Sequence, residues 1–206
     1  MYQPKKYKND NRDFIYGFIK KYSFSTLILQ GKELLATHIP VLAKGSADDF
    51  VLYAHIANHN PMREYLADNQ ETLLVFHGPD AYVSPRWYSE PEVPTWDYTA
   101  VHINARVQLQ TTAELQTSLI ELIEQSERGK DDPFNFREIP EGIWKENFKE
   151  ITGFWLHPFK MTGIEKLHQG FDKKDIDTIA RNLENRSRCP AHNIADLLRI
   201  KNDTSD

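Results

Sequence analysis

Residues 101–109 read VHINARVQL, and this stretch decides the fold class. Apolar residues occupy every second position, so in an extended chain all of them point to the same face. These residues are Val101, Ile103, Ala105, Val107 and Leu109. Such strict alternation is typical of an antiparallel strand with one face in the core and the other in water. The sequence therefore predicts a protein built on half-buried antiparallel strands.

Other short β-rich segments lie on both sides of this strand. We predict them at residues 24–30, 33–42, 50–56, 72–77, 151–161 and 163–169. Turn residues separate the first three segments, which favours two hairpins, and Gly78 with Pro79 is expected to end the strand at 72–77. The predicted helices lie at residues 11–22, 113–127, near 141–149, from Asp172 to about 183, and at 191–200.

Many short strands with few βαβ alternations indicate a mainly β fold, an antiparallel barrel with peripheral α-helices. We expect the barrel domain to cover residues 1–170 and a C-terminal helical extension to cover residues 171–206.

The composition excludes several classes of protein. With 206 residues, 40% of them hydrophobic, the chain can bury a core. No apolar run approaches the roughly 20 residues of a membrane helix, and the charged N-terminus lacks the apolar segment of a signal peptide. We therefore expect a cytoplasmic protein with no membrane partner. A single cysteine excludes an internal disulfide, and a net charge of −5 argues against attraction of the whole molecule to nucleic acid.

The polar segment 55–63 is the first candidate for chemistry. Asn60 and Pro61 are favourable N-cap and N1 residues for a helix. The free amides of a helix start suit a phosphate, and Arg63 in the first turn adds a charge. An ordinary capped helix is the alternative interpretation.

Metal and hydrolase sites are not supported. His55 and His59 stand four residues apart, but a strand end and Pro61 argue against one helix that carries both, so we predict no metal. Ser84 lacks the G-x-S-x-G pattern of hydrolases, and no dinucleotide or P-loop pattern occurs.

Residues 82–98 form the second candidate, an aromatic segment interrupted by prolines. It contains Tyr82, Trp87, Tyr88, Trp96 and Tyr98. Prolines predict a rigid pair of loops rather than a strand. Aromatic side chains there can line a planar ring, plug the barrel or form a dimer interface. The cluster is too large for one barrel mouth to cover, which favours a homodimer.

Several short motifs occur in one order along the first half of the chain. They are Met1-Tyr2-x-Pro4, Ala36-Thr37-His38-Ile39-Pro40, Ala54-His55-x-Ala57-Asn58-x-Asn60-Pro61, Gly78-Pro79-x-Ala81-Tyr82-Val83-Ser84-Pro85-x-Trp87-Tyr88, Val93-Pro94-Thr95-Trp96-x-Tyr98 and Val101-His102. Together they resemble the PaiB-type FMN-binding negative transcriptional regulators, densely over about residues 1–110 and more thinly to about 183. The resemblance implies a Greek-key split β-barrel of the pyridoxamine-phosphate-oxidase kind, a homodimer, and FMN at the subunit interface.

The resemblance also implies which residues surround the cofactor. Those expected at the flavin phosphate and ribityl chain are Thr37, His38, His55, Asn58 and Asn60. Those expected near the ring or the partner subunit are Ser84, Trp87, Thr95, Trp96 and Tyr98.

One motif departs from the family. Members commonly read Lys-Leu-Ser-Gln-Asn-Arg near the last barrel strand, where this chain has Lys166-Leu167-His168-Gln169-Gly170-Phe171. Lys166 and Gln169 remain as candidate cofactor contacts. The absent arginine predicts weaker FMN binding unless Arg63 or Lys166 replaces it as the anion binder.

Two functions remain open at this point. The first is an FMN-binding homodimeric regulator, whose C-terminal helices are candidates for DNA contact through Arg181, Arg186, Arg188, Arg199 and Lys201. The connection at 184–190 is longer than a helix-turn-helix turn, and this opposes that contact. The alternative is an FMN-dependent oxidoreductase for NAD(P)H or a small molecule, in which the cofactor carries the chemistry. We expect a regulator rather than a dedicated enzyme.

Overall fold

The computed structural model describes residues 1–185 and 198–202. Within these residues the regular elements follow in the order α1 (Arg12–Lys21), β1 (Phe24–Gln30), β2 (Leu34–Pro40), β3 (Leu42–Gly45), β4 (Phe50–Ala57), β5 (Glu71–Val83), β6 (Thr95–Leu109), α2 (Thr112–Glu127), α3 (Glu141–Lys149), β7 (Ile151–Lys166) and α4 (Lys173–Glu184). Among the described residues, no helix is long and apolar enough to cross a membrane.

The strands form one seven-stranded sheet in the order β2-β1-β5-β6-β7-β4-β3. β1 pairs with β2, β3 with β4, and β4 with β7, all antiparallel. The two predicted hairpins are confirmed. Together with the flanking helices, this pairing also confirms the predicted mainly β, antiparallel character of the fold.

The chain divides into two compact units. Unit 1 comprises Met1–Ile15, His77–His102 and Thr162–Asp206, and unit 2 comprises Tyr16–Phe76 and Ile103–Met161. β5, β6 and β7 each contribute residues to both units. The domain boundary between residues 170 and 171 stays a prediction.

Apolar side chains from the sheet fill the core of unit 2. Ile103, Ala105 and Val107 are buried while Arg106 and Gln108 are exposed, so the alternation in VHINARVQL is confirmed. The other large, fully buried side chains of this unit include Leu27, Leu52, Leu74, Phe76, Phe154 and Leu156. α2 begins at a capping box, in which Thr111 and Glu114 satisfy each other's backbone amides.

The core of unit 1 lies against α4. Its buried cluster comprises Ala81, Val83, Leu167, Ile179, Ala180, Leu183 and Leu198. α4 begins after Asp172, as predicted. Of the predicted last helix, residues 191–197 lie outside the described residues, and residues 198–202 are helical.

Two predicted chain breaks are wrong. β5 continues through Gly78 and Pro79 to Val83, and residues 151–166 form one strand instead of two. The glycine at 163 serves a close approach: a Cβ there would lie 2.2 Å from the carbonyl oxygen of Asn9. The Asn9 amide donates to the Gly163 carbonyl at 2.9 Å. The glycine therefore makes room for the N-terminal segment without ending the strand.

Two more boundaries differ from the prediction. The segment 33–42 is interrupted at Val41, which separates β2 from β3. Residues 95–98 belong to β6, although the prolines before them suggested a loop. The prolines end at Pro94, and the β-branched and aromatic residues after it suit a strand.

Candidate functional site

The predicted site residues fall into two groups, one in each unit. Unit 2 contains Thr37, His38, His55, Asn58, Asn60 and Arg63. Unit 1 contains Ser84, Trp87, Thr95, Trp96, Tyr98, Lys166 and Gln169. Each group is built by its own set of elements.

The turn at Pro61 is shorter than expected. Asn60 accepts the Met62 amide at 2.9 Å, which confirms its capping role, but the predicted helix is a five-residue 3₁₀ turn, Pro61–Tyr65. Met62 within the turn and Leu66 directly after it are both buried. One 3₁₀ turn aligns few peptide dipoles, so the binding of an anion here would depend on nearby side chains.

Arg63 lies at the start of a chain of polar contacts. Its Nε donates to Thr152 Oγ1 at 2.7 Å, and the Thr152 hydroxyl donates to Asn58 Oδ1 at 2.6 Å. Asn58 Nδ2 in turn donates to the Lys149 carbonyl at 2.7 Å, at the end of α3. The structure therefore brings Arg63 and Asn58 together through Thr152, which sequence reasoning missed.

The remaining polar residues of unit 2 are less tightly grouped. Asn60 Nδ2 donates to Thr37 Oγ1 at 3.2 Å. His38 is exposed on β2, with its Nδ1 3.0 Å from Thr26 Oγ1. His38 is thus separate from the Arg63 contacts.

A cavity of about 790 Å³ opens beside Arg63; we call it the cation-lined cavity. Its cationic wall residues are Arg63, Lys145 and Lys149, and its aromatic ones are Trp144 and Phe148. One carboxylate, Glu141, also lines it and pairs with Lys145 at 2.5 Å. Three cations against one carboxylate leave the wall positive.

The wall of this cavity also contains an unsatisfied polar atom. Gln110 Oε1 is buried and has no hydrogen-bond partner among the described residues. Gly153 lies against it, since a Cβ on Gly153 would be 2.3 Å from that oxygen. The cations of this cavity suit a phosphate, and its aromatic side chains suit a planar ring.

A second cavity of about 450 Å³ lies on the other flank of α3; we call it the histidine cavity. His55 and His59 line it, and it shares Trp144, Phe148 and Ile151 with the cation-lined cavity. Burial lowers the pKa of His55, so its imidazole is neutral at neutral pH. His55 thus lines a cavity that Arg63 does not line, and its predicted contact with the flavin phosphate or ribityl chain stays a prediction.

In unit 1, Lys166 holds the first residues of β6. Its ammonium donates to Thr95 Oγ1 at 2.5 Å and to the Trp96 carbonyl, and lies 3.9 Å from Asp97 Oδ1. Burial lowers the pKa of Lys166, while the charge of Asp97 opposes that shift. The structure therefore brings together Lys166, Thr95 and Trp96 from the predicted set.

A buried hydrogen-bond network that sequence reasoning missed lies next to Lys166. His168 Nδ1 is 2.5 Å from Asp97 Oδ2, and His168 Nε2 is 2.6 Å from the Tyr88 hydroxyl. Burial raises the pKa of Asp97, against the opposing hydrogen bond from His168, and burial also raises the pKa of Tyr88. Phe171 packs on the His168 ring with centroids 4.8 Å apart. The sequence did offer a signal for this network, because residues 168 and 171 differ from the family motif.

Most of the predicted aromatic cluster is packed inside unit 1. Trp87 and Tyr88 pack on the buried cluster under α4, and Tyr98 packs on a smaller buried cluster with Ile164. Trp96 is 54% exposed, with its ring 6.0 Å from that of Tyr82. Tertiary packing within unit 1 therefore covers most of this cluster, and its role at a ring or at a partner subunit stays a prediction.

Ser84 and Gln169 have local roles. Ser84 Oγ accepts the Arg86 amide at 3.3 Å and caps a short 3₁₀ turn. Gln169 donates to the Glu165 carbonyl at 2.6 Å and accepts the Leu167 amide at 3.0 Å. Both side chains shape the backbone around them.

Comparison with known proteins places these features in context. A family model described as "Putative FMN-binding domain" matches residues 1–157. The chain is 30% identical over 203 residues to "Protease synthase and sporulation protein PAI 2" of Bacillus subtilis (strain 168), with 98% of each chain covered.

Solved structures share the fold. The flavocytochrome Anf3 from Azotobacter vinelandii has a TM-score of 0.63 at 10% identity, covering 85% of this chain and 77% of that chain. The FAD and heme binding protein from Mycobacterium smegmatis has a TM-score of 0.59 at 12% identity, covering 82% and 78%. The predicted fold class, an antiparallel split β-barrel with peripheral helices, is confirmed.

Proposed function

Because the chain belongs to the PaiB-type family of FMN-binding domains, its cofactor is FMN, and we propose that the cation-lined cavity binds the FMN of a homodimeric transcriptional regulator. One observation carries the proposal: Arg63, Lys145 and Lys149 share a cavity with Trp144 and Phe148. Its volume of about 790 Å³ lies in the range of ligand-binding clefts.

The cationic side chains suit the FMN phosphate, which by analogy with other phosphomonoesters carries about −1.5 to −2 charges near neutral pH. Trp144 and Phe148, four residues apart on α3, offer ring faces to the isoalloxazine. When bound, FMN supplies electron or hydride transfer chemistry. The residues of the cavity would bind and orient it.

Arg63 is the best replacement for the arginine that the family motif has near the last strand. It lines the cavity and is already oriented by Thr152. Lys166, the other candidate, donates to two groups of β6 within unit 1. This difference favours Arg63 as the phosphate ligand.

Titration of purified protein with FMN tests the cofactor proposal. We expect saturable quenching of flavin fluorescence, with one FMN bound per chain at the cation-lined cavity. The same titration with free tryptophan in place of protein controls for collisional quenching. A linear, non-saturating response would contradict the proposal.

An exposed apolar face of unit 2 supports the homodimer. Phe24 and Leu34 are 67% and 73% exposed, and the β1–β2 register places them on one face, beside Ile28. β2 is an edge strand of the sheet. Apolar side chains on an exposed sheet edge favour association with another chain.

Replacing Leu34 with lysine is expected to convert the homodimer to a monomer, because a charge would have to be desolvated in the interface. Light scattering at low micromolar concentration should then fall to the 24.0 kDa of one chain. Val93→Lys, at a 67% exposed position in unit 1, is the matched control. A wild-type mass of 24.0 kDa would refute the dimer.

The basic residues near the C-terminus favour a regulator that acts through another protein. Arg199 pairs with Glu184, and Lys201 pairs with Glu165 at 2.6 Å. Arg181 Nε donates to the Asp177 carbonyl of its own helix. Arg186 and Arg188 lie outside the described residues. Arg199 and Lys201 would have to leave their carboxylate partners to contact DNA phosphates, which opposes direct DNA binding.

We expect no retardation of genomic DNA fragments in a gel shift, even at about 50 mM salt, where phosphate contacts are strong. The assay should include FMN-loaded and FMN-free protein. Retardation that weakens steeply with added salt would instead establish direct DNA binding.

A further inference from the structure

We propose that the histidine cavity is a second binding site, for a neutral aromatic ketone or quinone. The proposal rests on the proposed function in one respect, the assignment of FMN to the cation-lined cavity. The site itself is argued from the residues that line it.

α3 separates the two cavities. Its residues Trp144 and Phe148 line both, while Lys145 and Lys149 line the first cavity and Ile143 and Asn147 line the second. α3 buries none of its own side chains, so nothing packs tightly into these spaces from the helix. Trp144 and Phe148 could therefore contact one ligand in each of the two cavities.

Charge distinguishes the two cavities. None of the described residues that line the histidine cavity is a lysine or an arginine, and Glu150 lines it. An anion would meet a carboxylate without a compensating cation, which is unfavourable. The neutral imidazole of His55 adds no charge. The cavity therefore disfavours an anion, and its mainly apolar lining suits an uncharged molecule.

The remaining walls specify the ligand further. Leu119, Ile139, Ile143 and Ile151 present apolar surface, and Trp144 with Phe148 presents ring faces. An imidazole N–H of His55 or His59 can donate to a carbonyl oxygen. A volume of about 450 Å³ suits a two-ring or three-ring molecule. A planar ring with a carbonyl satisfies all three features.

The probe we would use is 6-propionyl-2-dimethylaminonaphthalene, a neutral naphthyl ketone whose emission shifts to the blue when it is buried. We expect a saturable blue shift that persists when the protein is saturated with FMN. The anionic probe 1-anilinonaphthalene-8-sulfonate has a similar ring, and in FMN-loaded protein it should bind at least about tenfold more weakly.

Two variants locate the probe. Ala57 lines the histidine cavity alone, so Ala57→Leu fills it and should weaken the ketone at least about tenfold while FMN affinity stays unchanged. Ile143→Glu should give the same loss of ketone affinity. Because Ile143 is 53% exposed, this variant should fold even if Ala57→Leu does not. Gln116→Leu, on the wall of the cation-lined cavity alone, is the matched control.

Competitive displacement of the ketone by FMN would overturn the proposal, because it would place both ligands in one cavity. Wild-type affinity for the ketone in both Ala57→Leu and Ile143→Glu would also overturn it. If the ketone behaves as expected and FMN does not bind, the second site stands and the proposed function fails.

Discussion

Replacing His168 with alanine is expected to destabilise the protein by about 3–5 kcal/mol, the usual cost of leaving a buried charge without its partner. The side chains of His168 and Asp97 are only 2% and 1% exposed, and they contact each other at 2.5 Å. The variant would leave Asp97 in the core with Lys166 at 3.9 Å as its nearest cation. The free energy of unfolding from urea titration measures the loss.

The loss should depend on pH. Burial raises the pKa of Asp97 in the folded protein above its unfolded value, and the hydrogen bond from His168 opposes that rise. Without His168 the folded pKa of Asp97 rises further. The penalty for burying the ionised carboxyl is therefore full at neutral pH and is relieved as the pH falls through that raised pKa. We expect a smaller loss at pH 5 than at pH 7.

A double variant separates the unpaired charge from the lost volume. Combining Asp97→Leu with His168→Ala removes the buried carboxylate together with its imidazole partner and keeps alanine at residue 168, where φ is 58°. The double variant should therefore be more stable than His168→Ala. If it is equally unstable at pH 7, the explanation by an unpaired carboxylate is wrong.

Replacing Arg63 with methionine is expected to lower FMN affinity roughly 10- to 100-fold, because a hydrogen bond to a charged group contributes about 1.5–3 kcal/mol. Methionine keeps much of the side-chain volume against Thr152 and removes the charge. Riboflavin, which lacks the phosphate, should bind both proteins alike. Flavin fluorescence titrations with the two ligands make the comparison internal.

Arg106→Met is the matched control for Arg63. Arg106 also lies in unit 2, pairs with Glu71 at 3.1 Å, and lines neither cavity. Its loss should leave both affinities unchanged. If Arg63→Met lowers FMN and riboflavin affinity equally, or lowers neither, the FMN phosphate does not bind in this cavity.

Local patterns in the sequence predicted much of the fold. The alternation in residues 101–109 shows one buried face, and the helix predicted at 113–127 is close to the observed bounds of α2, Thr112–Glu127. Asn60 before Pro61 predicted its own cap correctly. Each of these features depends on residues a few positions apart, so propensity and periodicity are enough to find them.

The motifs also predicted the split barrel and FMN, and they identified a polar group at 58–63 whose binding role stays a prediction. They could not predict how long that helix would be. The turn ends at Tyr65 because Leu66 is already extended, with φ −81° and ψ 105°, and its side chain is buried. The sequence also could not show that Trp87 and Tyr98 are covered by parts of the chain far away in sequence.

Tertiary structure alone decided the contacts that the predictions above test. Arg63 meets Thr152 across 89 residues, and Asp97 meets His168 across 71. The sequence around Gly163 suggested a break between two strands. Gly163 instead lies within one strand, where the Asn9 backbone approaches it closely. A sequence pattern shows which face of a strand or helix is buried. The same pattern does not show which distant side chain will complete a buried hydrogen bond or which cavity will stay open. Those groups come together only when the chain folds.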